Sequence, residues 1–303
     1  MNLHKNKEAF SDILEDAKNH LNIKKPIIEK DYFVTLFLKK IAQRQPDIIF
    51  KGGTSLSKCH RIINRFSEDI DLSIEPKTDR VTDSQRKKLK NDILEIIEEA
   101  GFFLENPNAI RSRRDLNRYV INYNSSISQD FLDENLIVET SVFIKPFPNE
   151  LKETSSLIYD FLKESNADSQ IEAYGLEPFE IKVQSLERTF ADKIFAIADY
   201  YIDKKSKRLS RHIYDLYKIQ PEISIDDTFV KLFGEVREVR KKHDICFSAQ
   251  DGIDVRDILK RIVSEEYYKD DYKQITQSML YEDVPYSTAI TAIEKIIDSW
   301  CFG

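Results

Sequence analysis

The sequence predicts an α/β chain of the α+β kind, with strands set among helices in its first 150 residues and a largely helical remainder. Three observations carry this. Short apolar runs and alternations occur at 48–50, 66–74, 117–124 and 136–144, as half-buried or buried strands require. Apolar residues recur at helical spacing on either side of them. After Pro146 and Pro148 the pattern turns helical, apart from a strand-like piece at Glu180–Val183.

Taken in order, residues 5–45 read as helical, with Phe10, Ile13, Leu14 and Ala17 on one face and a break at Pro26. Ile48-Ile49-Phe50 reads as a buried strand that ends at Gly52-Gly53. Residues 54–64 suit a helix with Leu56, His60 and Ile63 on one side. In the strand at 66–74, Ile70, Leu72 and Ile74 face one way and Asp69, Asp71 and Ser73 the other. A charged amphipathic helix at 85–100 closes at Gly101. Strands at 117–124 and 136–144 follow, and Ser185 caps a helix that runs to about Tyr201.

The 303 residues suffice for one large domain or two modest ones, and 41% hydrophobic with 33% charged residues describes a globular chain. A net charge of −7 argues against a protein that coats polyanions generally, while leaving room for local basic surfaces. Cys59, Cys246 and Cys301 match no metal-ligand spacing and suit a reducing compartment. The N-terminus has no apolar core of signal-peptide length and no stretch is long enough to span a bilayer, so the reading is cytoplasmic.

The chemistry concentrates in residues 50–72. With seven glycines in the whole chain, Gly52 and Gly53 side by side mark a special turn. A strand, Gly-Gly-Thr and then a helix would aim free N–H groups at an anion, or else form only a tight turn, and no Gly-Lys-Ser/Thr closes it as in a P-loop. Asp69 and Asp71, two apart on a strand, present both carboxylates to one face. That suits a hard cation that keeps positions for substrate phosphates, or else a solvated acidic edge. Glu139 interrupts an apolar strand and needs either a metal or an arginine such as Arg118. Lys193 shares a helix face with Phe190 and Ile197, so it reaches an anion or snorkels outward. Asp215 lies at the edge of the apolar face of Ile213, Leu216 and Ile219, with Arg211 four residues before it. Basic clusters at 111–118, 204–211 and 237–243 are solvated faces or a polyanion track, with Tyr119, Tyr123 and Tyr200 near enough in sequence to add stacking.

Four blocks, KGGTSLSK at 51–58, RFSEDIDL at 65–72, SLERTFADK at 185–193 and RHIYDLYKI at 211–219, together resemble the AbiEii/MenT family of toxin nucleotidyltransferases. These belong to the DNA polymerase β-like nucleotidyltransferase superfamily. The resemblance runs in order from about residue 30 to 220. It implies a nucleotidyltransferase core with a mixed sheet, expected over 1–150, and a helical lobe over 151–303 that completes the active site. It implies transfer of a nucleoside monophosphate from an NTP, with Mg²⁺ or Mn²⁺, onto RNA and in particular the tRNA 3′ end. A separately encoded antitoxin and a role in phage defence are also implied. By matching position, Asp69 and Asp71 are the metal pair, with Glu139 added from the strand reading. Gly52, Gly53 and Thr54 form the phosphate turn, Arg65 and Ser67 approach the phosphates, and Lys193 and Asp215 are the essential residues of the last two blocks. The chain departs from the superfamily in its Gly-Gly turn, in a spacing to Asp69 that suggests a full intervening helix, and in His212. Transfer to a protein or small molecule, and a non-catalytic nucleotide-binding partner protein, are the alternatives.

Overall fold

The computed structural model describes residues 2–65, 67, 69–78, 80–125, 127 and 135–299. Phe66, where the expected strand begins, and Cys301 lie outside the described residues.

Two helices open the chain, α1 (Lys7–Leu21) and α2 (Lys25–Arg44). Asn6 caps α1 by accepting from the Ala9 N–H, and Asn22 ends it in the left-handed conformation. Pro26 does not break a helix; it sits in the first turn of α2, where its missing N–H costs nothing. Strand β1 (Ile48–Lys51) leads into α3 (Gly52–Lys58), which is only seven residues long. The expected helix to residue 64 is not formed. The Ser55 and Ser57 hydroxyls bond back to carbonyls of their own helix, and Asn64 and Arg65 instead pair their backbone with Leu280 and Tyr281. Long-range pairing thus overrides local helical spacing.

Strand β2 (Asp69–Ile74) is followed by α4 (Asp83–Ala100), which opens on a reciprocal Thr82–Gln85 capping box and closes at Gly101. Strands β3 (Phe103–Leu104), β4 (Leu116–Asn122), β5 (Asn135–Ser141) and β6 (Asn149–Thr154), helices α5 (Leu157–Glu164) and α6 (Asp168–Tyr174), and β7 (Phe179–Gln184) follow. The seven strands form one mixed sheet in the order β3-β4-β5-β2-β1-β7-β6. β2 lies antiparallel to β1 and parallel to β5, and β1 is parallel to β7. The expectation of helix after residue 150 missed β6, whose sequence Asn-Glu-Leu-Lys-Glu-Thr carries no apolar alternation. It is an edge strand, where charged side chains discourage further pairing.

Helices make up the rest: α7 (Leu186–Ile202), α8 (Arg211–Ile219), α9 (Asp227–Arg240), α10 (Val255–Ser264), the short α11 (Lys269–Asp271), a π-helical turn at Tyr272–Thr276, α12 (Tyr286–Ala289) and α13 (Thr291–Asp298). Ser185 caps α7 by accepting from the Arg188 N–H.

Two compact units result. One comprises Met1–Cys59, Glu68–Phe143 and Asn149–Val183; the other comprises His60–Ser67, Ile144–Pro148 and Gln184–Gly303. In the first, Phe37, Phe50, Ile70, Leu72, Val138 and Val183 are fully buried in a core that also takes in α1 and α2. In the second, Phe190, Phe195, Phe229 and Phe233 pack ring to ring, with Phe195 and Phe233 stacked at 4.6 Å. Among the described residues no helix is long and apolar enough to cross a membrane.

Candidate active site

In the sheet unit the site begins at Gly52. Its φ is +76°, a conformation that side chains rarely adopt, and a Cβ placed there would lie 1.9 Å from Asp71 Oδ2. The Asp71 carboxylate therefore rests directly against the turn. Thr54 Oγ1 donates to the Asp69 carbonyl at 2.6 Å, tying the start of α3 to the start of β2. Gly53 and Thr54 lie in the first turn of α3. Asp69 and Asp71 are both half-buried, while Ile70 and Leu72 between and beyond them are buried.

Register places Asp71 opposite Lys51 on one side and Glu139 on the other, and Glu139 opposite Arg118. One row across four strands thus reads Lys51, Asp71, Glu139, Arg118. Arg118 Nε lies 3.1 Å from Glu139 Oε1, so Glu139 is engaged by the arginine that the sequence offers as the alternative to a metal. Among the described residues no three His, Cys, Asp or Glu side chains converge as a metal cluster. The Asp71 carboxylate against a glycine turn, with Asp69 two residues before it on the same strand, is nonetheless a donor set that fits Mg²⁺, which often takes only one or two protein carboxylates and completes its shell with water and phosphate.

In the helical unit, Arg65, Lys193 and Asp215 form one buried cluster. Asp215 is fully buried, and Arg65 and Lys193 are 3% and 6% exposed. Arg65 grips Asp215 with both arms of its fork, Nε to Oδ1 at 2.7 Å and Nη2 to Oδ2 at 2.8 Å. Lys193 Nζ donates to Asp215 Oδ2 at 2.6 Å. Lys193 does not snorkel; its ammonium is held inside. Burial pushes the Asp215 carboxyl upward, but Arg65 and Lys193 together hold it well below the usual carboxylate range. Burial depresses the Lys193 ammonium, Asp215 opposes that, and Arg65 adds to it. The Asp215 carboxylate is thus shared between two cationic side chains. His212 lies beside them with its Nδ1 unpartnered, and burial with Lys193 nearby keeps the ring neutral, well below its ordinary value.

Sequence reasoning did not foresee that Arg65 closes onto Asp215, 150 residues away. Locally, Glu68 and Asp69 stand three and four residues after Arg65, so the sequence points to nearer acids and gives no signal for Asp215. Ser67, in the same segment, is half-buried. That segment is fastened within the helical unit: the Asn64 N–H donates to Tyr214 Oη at 2.9 Å, and Tyr214 in turn donates to Glu282. The basic clusters fare differently. Arg237 donates to the carbonyls of Ala249, Gln250 and Ile253, and Arg240 pairs with Asp192 and Asp199. Tyr119 and Tyr123 are core residues, 1% and 3% exposed, and offer no stacking surface.

A family model described as nucleotidyl transferase AbiEii toxin, of type IV toxin–antitoxin systems, matches residues 36–298. The match continues well past residue 220, where the four blocks end. No curated protein matches the chain.

Proposed function

Since the chain belongs to the AbiEii nucleotidyl transferase toxin family, and is thereby a nucleotidyltransferase toxin of a toxin–antitoxin system with a separate antitoxin partner, we propose that it transfers a nucleoside monophosphate from an NTP to the 3′ end of tRNA. Such transfer blocks aminoacylation and hence translation. The observation that carries this reading is the Asp71 carboxylate seated against the Gly52 turn, which makes glycine obligatory there and puts an acidic ligand beside a helix start.

In the reaction, the RNA 3′ oxygen forms a bond to the α-phosphorus as the bond to the leaving pyrophosphate breaks. The hydroxyl proton departs to solvent or a base. Gly52, Gly53 and Thr54 give the triphosphate a backbone surface that no side chain obstructs. Asp69 and Asp71 would hold Mg²⁺ or Mn²⁺; Glu139 would join them only on leaving Arg118. The chemistry a bound cation supplies there is neutralisation of phosphate charge and acidification of the attacking hydroxyl.

Lys193 and Asp215 are the further residues we assign to transfer. Asp215 orients Lys193 rather than taking a proton, because two cations already occupy its oxygens and hold its acidity high. Arg65 supports this pair by the same contacts. Lys193 supplies positive charge to an anionic substrate. Ser67, two residues after Arg65, is assigned to the same phosphate-binding segment.

Offering α-labelled NTPs with total RNA, and separately with protein alone, tests the reading. Label should migrate with tRNA-sized RNA and fall roughly a hundredfold or more in Asp71→Asn. Label on protein or on a small molecule would replace the RNA acceptor, and undiminished labelling by Asp71→Asn would remove the aspartate from the reaction.

A further inference from the structure

The loop between α7 and α8 carries Lys204, Lys205, Lys207 and Arg208, all exposed. Lys205 is paired with Asp203 at 2.5 Å. Among the described residues, no carboxylate pairs with the side chain of Lys204, Lys207 or Arg208. In the other clusters most cations are spent on carbonyls or carboxylates. Arg111 and Arg114 bond the carbonyls of Ile110 and Ala109, Arg118 holds Glu139, and Lys241 holds Asp251.

The loop is also firmly built. Asp271 accepts from the N–H groups of Arg208 and Ser210 at 2.7 and 3.0 Å and from the Ser210 hydroxyl at 2.6 Å. The Ser210 hydroxyl also meets Thr276 at 2.7 Å, at the end of the π-helical turn. Lys204 and Arg208 both take left-handed backbone, φ 55° and 64°. A strained, anchored turn that displays unneutralised cations on a chain of net charge −7 is an expensive arrangement to keep for a solvated surface.

A second observation lies at the foot of the loop. Tyr200, near the end of α7, stacks on His212, in the first turn of α8, with centroids 5.8 Å apart and planes at 30°. Both are partly exposed. Cations beside a partly exposed aromatic stack form the combination that follows a nucleic-acid backbone and receives a base. The loop joins the helix of Lys193 to the helix of Asp215. Asp215 stands four residues into α8, on the order of 6 Å along the axis from the loop's end.

We propose that this α7–α8 loop, through Lys204, Lys207 and Arg208 with the Tyr200–His212 stack beneath, is the surface on which the acceptor RNA backbone docks. This rests on RNA being the acceptor. The phosphates would replace counterions at the three unpaired cations, so binding through the loop must be salt-dependent.

The test uses the full chain with a 3′-hydroxyl RNA of tRNA length, its binding followed by fluorescence anisotropy across a salt series. The triple variant Lys204→Asn, Lys207→Ala, Arg208→Asn keeps residues that tolerate left-handed backbone where it is needed. RNA affinity at low salt should fall roughly tenfold or more, and the slope of log affinity against log salt should become shallower by about 2, as three lost phosphate contacts imply. NTP affinity by equilibrium dialysis should stay unchanged, and Lys204→Arg with Lys207→Arg should keep the wild-type slope. An unchanged slope in the triple variant, with wild-type protein still labelling RNA, overturns the loop assignment while leaving the RNA acceptor standing. Loss of binding to poly-glutamate with RNA binding intact makes the loop a protein-docking surface and also overturns it. Failure of the wild-type protein to bind or label RNA removes the acceptor itself.

Discussion

Gly52 and Gly101 share nearly the same backbone, φ +76° and +75°, but a Cβ on Gly101 meets nothing within 4 Å whereas one on Gly52 meets the Asp71 carboxylate. The pair therefore separates backbone strain from the cost of displacing an aspartate. Gly101→Ala should cost about 1–2 kcal/mol for a left-handed alanine and leave transfer intact. Gly52→Ala should cost more than that in a thermal or urea melt, and incorporation of labelled NTP should collapse, because Asp71 cannot keep its place. Equal activity in the two variants would mean that the seat of Asp71 against the turn is irrelevant to the reaction. The aspartates and the glycine pair were legible in the sequence because strand alternation and glycine scarcity are local signals. The reason for Gly52 was not legible: it depends on which side chain the neighbouring strand brings to the turn, 19 residues further on.

Helices α7 and α8 are joined through a charged cluster inside an apolar setting, and this decides how each substitution should behave. Asp215→Ala removes the carboxylate that the buried Lys193 and Arg65 share, and breaking a buried ion pair from one side costs roughly 3–5 kcal/mol. Lys193→Met leaves the two-armed Arg65–Asp215 pair, one cation and one carboxylate, so its cost in a urea melt should be markedly smaller. Both variants should lose transfer. Were Lys193→Met the more damaging to stability, the Arg65 fork would not be holding Asp215 as described. The helices themselves were readable from Ser185 as a cap and from the apolar faces of Phe190, Ile197, Ile213 and Leu216. What joins them was not. Arg65 reaches Asp215 because residues 64–65 pair with 280–281 and rest on Tyr214, contacts that leave no periodicity in either segment. The same cause shortened α3, and the absence of alternation in β6 concealed that strand. The mixed sheet as a class was recoverable, while its edge and the end of α3 were set by partners distant in sequence.

Among the described residues, lowering the pH from neutral should act on stability through two kinds of group, histidines and then carboxylates. His4 lies among Tyr32, Phe33 and Phe102, with Nδ1 2.9 Å from Tyr32 Oη, and burial lowers its proton affinity despite a backbone hydrogen bond that favours the charged ring. His212 is lowered further, by burial first and then by Lys193 and Arg211, with Asp215 opposing and Arg65 adding to the effect. Both rings take a proton less readily in the fold than in the unfolded chain, where each takes one near pH 6.5. Below that value the unfolded state binds more protons than the folded one, so stability must fall as pH falls. The depressed carboxylates act lower down. Asp215, Glu99 and Glu282 each contribute stability that is present above their unfolded values, near 4, and lost as acid protonates them in the fold. On the acid side, melting temperature should therefore decline as pH falls below about 6.5, on account of the two histidines, and drop again below about 4. His4→Phe should flatten part of the upper decline, since the ring already packs against aromatic neighbours, and leave the lower one unchanged. A wild-type melting temperature that does not move between pH 7 and 5 would show that these two rings gain protons as readily in the fold as out of it.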